Sequence, residues 1–89
     1  MSKRERAILQ AAEEYAQEIK KRFPGATTEV LLESFDGLDA WIRVELPPPL
    51  HKHHSGVMDL TAELNALYDD RQIHLIATVE EVEEVAAHG

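Results

Sequence analysis

The segment from Leu38 to Leu46 alternates apolar and polar residues without a break, and it is the strongest constraint on the fold. A period of two is typical of a β-strand with one buried face and one exposed face. One side carries Leu38, Ala40, Ile42, Val44 and Leu46, and the other carries Asp39, Trp41, Arg43 and Glu45. Asp36-Gly37 precedes this strand and follows a β-prone segment, Thr27–Phe35. The two segments therefore predict a β-hairpin.

Two hairpin registers are open. A two-residue loop would pair Phe35 with Leu38 and would place Glu29 and Glu33 on the buried face. That register brings two carboxylates into a small core, where an unpaired charge is costly.

The alternative register uses a type I turn with Gly37 as a left-handed bulge. It pairs Ser34 with Leu38 and places Glu29 opposite Arg43. It sends two apolar side chains to the core, Val30 and Leu32. We expect this second register, because it buries fewer charges.

A helix is predicted before the hairpin. Ser2 and Glu5 have the spacing of a capping box, and apolar residues then recur every three or four positions. These residues are Ile8, Ala11, Ala12, Tyr15, Ile19 and Phe23. The helix is about twenty residues long by this pattern, and Pro24-Gly25 ends it.

A second helix and a third strand are predicted after the hairpin. The apolar spacing places the helix at Val57–Arg71, capped by Ser55 or Asp59. Alternation from Ile73 to Val79 indicates a strand with one buried face.

The whole chain, residues 1–89, is predicted to be one α+β domain of two layers in the order α-β-β-α-β. Three strands form a mixed sheet with both helices on one face, because a right-handed crossover sets the third strand parallel to the second. Thr78–Glu81 has a second capping-box pattern. It predicts that residues 80–89 form a short terminal helix or a frayed tail.

The uncovered face of this sheet is the first candidate site. Leu31, Phe35 and Trp41 share it in the preferred register. An apolar group of this kind on an open face is a candidate homodimer interface or a surface for another protein. The competing interpretation is that the terminal segment folds back and covers it.

Charge and composition narrow the partners. The formal net charge is −8, which disfavours nucleic acid and anionic lipid. There is no apolar run of membrane-spanning length, and we expect no membrane partner. The chain has no cysteine, which is compatible with a reducing, cytoplasmic location.

The second candidate site is the segment Pro47–Gly56, where His51, His53 and His54 lie within four residues. Imidazoles bind zinc and other divalent transition metals. In an extended loop His51 and His53 would point the same way and could share one ion. The simpler interpretation is a solvated loop with no cofactor, since dedicated zinc sites usually draw ligands from two separated segments.

No catalytic residues are predicted. No cysteine nucleophile, Gly-x-Ser-x-Gly elbow or phosphate-binding glycine loop is present. Three function classes are open: an interaction or regulatory module, a metal-binding or metal-sensing module, and a small enzyme. The enzyme is the least favoured of them. The sequence fits a small acidic interaction or regulatory module better.

Some features resemble those of a known family. Arg22–Ala26 follows the first helix, and Asp36-Gly37 falls at the hairpin turn. This layout resembles the ferredoxin-like cytosolic C-terminal domain of cation diffusion facilitator transporters over most of residues 5–80. The resemblance implies the fold and a tendency to dimerise. The positions of that family's metal-binding histidines hold Leu31, Arg43 and Thr78, so the family's metal site does not carry over.

Overall fold

A computed structural model describes residues 2–32 and 37–83 of the chain. Its elements are helix α1 (Lys3–Arg22), strand β1 (Thr27–Leu31), strand β2 (Ala40–Leu46), a 3-10 turn (Leu50–His53), helix α2 (His54–Asp69) and strand β3 (Leu75–Glu81). The predicted α+β class and element order are confirmed.

The capping box at the start of α1 is present. The Ser2 hydroxyl accepts a hydrogen bond from the Glu5 amide at 3.0 Å, and the Glu5 carboxylate accepts one from the Ser2 amide at 2.9 Å. These bonds favour the charged carboxylate and lower the pKa of Glu5. The helix ends before Pro24-Gly25 as predicted, and Gly25 has a φ of +103° that glycine tolerates best.

The sheet has the order β1-β2-β3, with β1 antiparallel and β3 parallel to β2. Glu29 lies opposite Arg43, so the bulge register is confirmed in the described part of the hairpin. Gly37 has a left-handed φ of +80°. The predicted partner Ser34 lies outside the described residues.

One prediction for the hairpin is wrong. Leu32 was expected on the core face, but β1 ends at Leu31 and Leu32 is 48% exposed. The chain leaves the sheet before that side chain reaches the helices.

Helix α2 begins earlier than predicted. The 3-10 turn at Leu50–His53 runs directly into His54, so Ser55 and Asp59 lie inside the helix and neither caps it. Pro49 immediately precedes this turn, where the fixed φ of proline suits the start of a helix. His51, His53 and His54 therefore lie in helical turns, and the loop expected for this segment is wrong from Leu50 onward.

Strand β3 continues through Glu81, where the sequence predicted the start of a terminal helix. Glu80 and Glu81 pair with Glu45 and Leu46 of β2, and this strand pairing overrides the local capping pattern. The rest of the predicted terminal helix or tail, residues 84–89, lies outside the described residues.

Both helices pack on one face of the sheet and form a single core with it. The side chains at its centre have no exposed surface: Ala12, Tyr15, Ile19, Ala40, Ile42, Val44, Leu46 and Val57. Trp41 and Arg43 alternate with these residues along β2 and point to the opposite face.

Candidate functional site: an apolar row on the open sheet face

Three apolar side chains line up across all three strands on the face away from the helices. Leu31 lies opposite Trp41, and Trp41 lies beside Ile76. We call these three residues the apolar row. Leu31 and Trp41 are half-buried, while Ile76 is 39% exposed. Within residues 2–32 and 37–83, both helices lie on the other side of the sheet.

Trp41 is held in place by more than packing. Its indole Nε1 donates a hydrogen bond to the Thr78 hydroxyl at 3.0 Å. With the polar edge satisfied inside the chain, the ring can present apolar surface to a partner without losing a hydrogen bond.

Of the predicted interface residues, Leu31 and Trp41 are brought together by the strand register. Phe35 lies outside the described residues. Ile76 completes the row. The parallel pairing of β3 sets Ile76 beside Trp41, and the sequence alone does not fix that register.

A cluster of four charged side chains begins two residues along β2 from the apolar row. We call these residues, Arg43, Glu29, Glu45 and Glu80, the charged group. Arg43 lies between Glu29 and Thr78 in the sheet. Its guanidinium is 3.9 Å from Glu29, 3.8 Å from Glu45 and 3.7 Å from Glu80. These separations exceed hydrogen-bond distance, and such exposed pairs contribute about 0–1 kcal/mol each.

The described part of this charged group is net acidic. Arg43 is surrounded by three carboxylates, and its buried Nε makes no hydrogen bond to a described residue. Any partner of this face must therefore tolerate negative charge beside the apolar row, or must avoid it by its orientation.

The three histidines of the second candidate site do not all lie together. His51 Nε2 donates to the carbonyl of Val82 at 2.8 Å, and His54 Nδ1 donates to the Glu81 carboxylate at 2.8 Å. Carbonyl and carboxylate oxygens only accept, and this assigns the ring protons. His53 instead lies against Phe23, with ring centroids 5.9 Å apart.

The 3-10 turn and α2 explain this arrangement. His51 and His54 are three residues apart, so helical geometry places them on one side. Leu46 pairs with Glu81, which brings the end of β3 beside the segment that follows β2. Sequence reasoning missed Glu81 and Val82 as partners because it ended the strand at Val79.

Within the described residues, no group of three or more His, Asp or Glu side chains is spaced to hold a metal ion. The Glu81 carboxylate is 3.8 Å from His51 Nδ1 as well as 2.8 Å from His54. The two imidazoles and the Glu81 carboxylate therefore come near one another at the end of β3, but their present hydrogen bonds do not arrange them as three ligands of one ion.

None of the helices in residues 2–32 and 37–83 is long and apolar enough to cross a membrane. Comparisons with protein-family models, with curated proteins and with solved structures found no match for this chain.

Proposed function

We propose that this chain is a small acidic interaction module whose open sheet face binds a second copy of itself. The observation that carries the proposal is the apolar row, Leu31–Trp41–Ile76, which spans all three strands on the face away from the helices. Tryptophan is among the residues that contribute most to interface energy. The resemblance to the dimerising transporter domain points the same way.

The charged group favours one orientation of the two copies. If the two-fold axis runs along the apolar row, the row of one copy stacks on the row of the other. The two acidic groups then diverge to opposite sides. Arg43 is two residues from Trp41, so the two Arg43 side chains lie about 13 Å apart along the strand direction. That exceeds the Debye length of about 8 Å at physiological salt, so their surrounding carboxylates repel each other weakly.

The test compares Ile76→Lys with Met58→Lys. Each places a lysine at an exposed apolar position, 39% exposed for Ile76 and 46% for Met58. Met58 lies on α2, away from the apolar row. Because both variants add the same charge, a difference between them reports the face and not the net charge.

Sedimentation equilibrium measures the outcome. We expect Ile76→Lys and Trp41→Asp to raise the dimer Kd at least about tenfold, and Met58→Lys to leave it unchanged. Circular dichroism confirms that each variant is folded. A wild-type monomer at high micromolar concentration would refute the proposal, and so would equal behaviour of the two lysine variants.

The alternative is a metal-binding or metal-sensing module, favoured by the meeting of His51 and His54 at Glu81. A divalent ion such as zinc would replace the proton between His54 and Glu81, and His51 or a second molecule would supply a further ligand. Zinc titration by calorimetry tests it. Binding weakened by His54→Ala but not by His53→Ala would support this site, and equal binding by wild type and a His51/His54 double alanine variant would end it.

A further inference from the structure

Strand β1 is an edge of the sheet, and among the described residues it pairs only with β2. An edge strand leaves a row of unpaired backbone N–H and C=O groups. The segment Thr27–Leu31 contains no proline, lysine or bulge, and Glu29 is its one charged residue, so it carries few of the features that block pairing with another chain. From this edge we infer a second self-association surface, at which β1 pairs antiparallel with β1 of another copy.

The side chains of β1 select the register of that pairing. A two-fold axis at Glu29 would set Glu29 against its own copy, and like charges directly opposite destabilise a sheet. An axis at Val30 sets Val30 against Val30 and Glu29 against Leu31. It also places Leu32, 48% exposed in the single chain, opposite Thr28 of the other copy. We therefore place the axis at Val30.

Helix α1 borders the same edge. An open groove of about 990 Å³ runs between the exposed side of α1 and β1, with Thr28 and Val30 on the strand side. On the helix side its lining includes five exposed residues at helical spacing, Gln10, Glu13, Gln17, Lys20 and Lys21, with the carboxylates of Glu14 and Glu18 beside them. We call these five residues the polar stripe.

The polar stripe is complementary to itself. In a two-fold pair the two α1 helices run antiparallel, and pairing centred on Gln17 sets Glu13 of each copy opposite Lys21 of the other. No ion pair within the described residues engages either side chain. The order of charges is complementary to its own reverse across a two-fold axis, as a contact between two identical copies requires, and this favours a second copy as the occupant.

The distance between the two α1 helices in this arrangement is compatible with direct helix packing. Paired strands lie about 4.8 Å apart, and α1 packs on both β1 and β2, so its axis lies about half a strand spacing inside β1. The two α1 axes are then about 10 Å apart, at the upper end of the 8–10 Å range of packed helices. The result is a continuous six-stranded sheet with α1 and α2 of both copies on one side, and the apolar rows remain free on the other.

The experiment removes the first surface before it tests the second. All variants carry Ile76→Lys, with Ile76→Ser as a milder background if the lysine impairs folding. If Ile76→Lys leaves assembly unchanged, the sheet-face proposal fails, but the β1 edge is still tested. The variants are Glu13→Lys, Lys21→Glu and the two combined, all at exposed helix positions and between residues of similar intrinsic helix propensity.

Sedimentation equilibrium at low salt should give a Kd at least about tenfold higher for each single variant, because two ion pairs become two like-charge contacts. The combined variant, and a 1:1 mixture of the two single variants, should recover the background Kd within about threefold, because both arrangements restore opposite charges.

General charge repulsion predicts a different pattern. The formal net charge of the chain is −8, so Glu13→Lys would lower the Kd by reducing the repulsion between copies. The Kd of the 1:1 mixture would lie between those of the two single variants. That pattern would overturn the inference. A background protein that stays monomeric at millimolar concentration would overturn it too.

Discussion

Replacing Tyr15 by phenylalanine should destabilise the protein at neutral pH and have almost no net effect at pH 11. Tyr15 has no exposed surface. Its hydroxyl donates to the carbonyl of Thr61 at 3.3 Å and lies 2.6 Å from the side-chain amide of Asn65. With the Asn65 amide oriented so that its nitrogen faces acceptors, this nitrogen donates to the Tyr15 hydroxyl and lies 3.1 Å from the carbonyl oxygens of Thr61 and Leu75.

The cost at neutral pH comes from these hydrogen bonds. Phenylalanine keeps the ring and its packing but removes the hydroxyl. Because Asn65 retains two other acceptors, the variant does not leave a fully unpaired buried group. We expect a loss of about 1–2 kcal/mol in the free energy of unfolding.

The pH dependence follows from the buried phenol. Burial raises the pKa of Tyr15 far above its ordinary value, while in the unfolded chain it ionises near pH 10. Stability is therefore unaffected by this group below pH 10, and it falls as pH rises toward the folded pKa. At pH 11 the loss is about 1.4 kcal/mol for one such tyrosine. Tyr15→Phe lacks this loss, so the free energies of unfolding of the variant and of wild type should become nearly equal at pH 11.

Urea unfolding followed by circular dichroism at pH 8 and pH 11 measures both free energies. Tyr68→Phe is the matched control. Its hydroxyl donates to Glu14 at 3.2 Å, and burial and the Glu14 charge raise the pKa of Tyr68. The difference in free energy of unfolding between Tyr68→Phe and wild type should also shrink at pH 11. It should shrink by less than for Tyr15, because Tyr68 is less buried. A difference in free energy of unfolding between Tyr15→Phe and wild type that is the same at pH 8 and pH 11 would refute the reasoning.

Three further outcomes follow from single positions. Ser2→Ala should cost about 1 kcal/mol by removing the helix cap, seen as a lower urea midpoint. The lowered pKa of Glu5 adds a stabilisation present above its unfolded pKa and lost as pH falls through the folded pKa, so the difference from wild type should shrink in acid. Ile42→Ala, at a fully buried position, should cost about 2–5 kcal/mol, and a cost below 1 kcal/mol would mean that the core is loosely packed. Gln72→Gly should raise the melting temperature, because Gln72 has a φ of +63° that glycine adopts without strain; an unchanged or lower value would contradict this.

Much of the local structure could be predicted because it depends on neighbours in the chain. The cap of α1 involves residues three apart, and the alternation of β2 is visible in its own sequence. The hairpin register followed from one criterion, the number of charges buried, and the pairing of Glu29 with Arg43 agrees with it. In each case the deciding interaction spans a few residues or one turn.

The predictions that failed depend on distant parts of the chain. Thr78–Glu81 has a helix-start pattern, yet Glu80 and Glu81 pair with β2 because the strand ladder supplies backbone hydrogen bonds along its whole length. The histidine segment reads as a polar loop, but it continues α2 backward, and its partners come from the end of β3.

The sequence by itself determined the element order, the two-layer α+β class, the face on which Trp41 lies and the acidic charge. These depend on periodicity and composition, which act locally. Only the tertiary structure decided that Ile76 completes the apolar row, that His51 and His54 meet at Glu81 while His53 does not, and that α1 borders the free edge of β1. Each of these depends on contacts between separate helices and strands. Their proximity depends on how the sheet is ordered and paired, which no local pattern specifies.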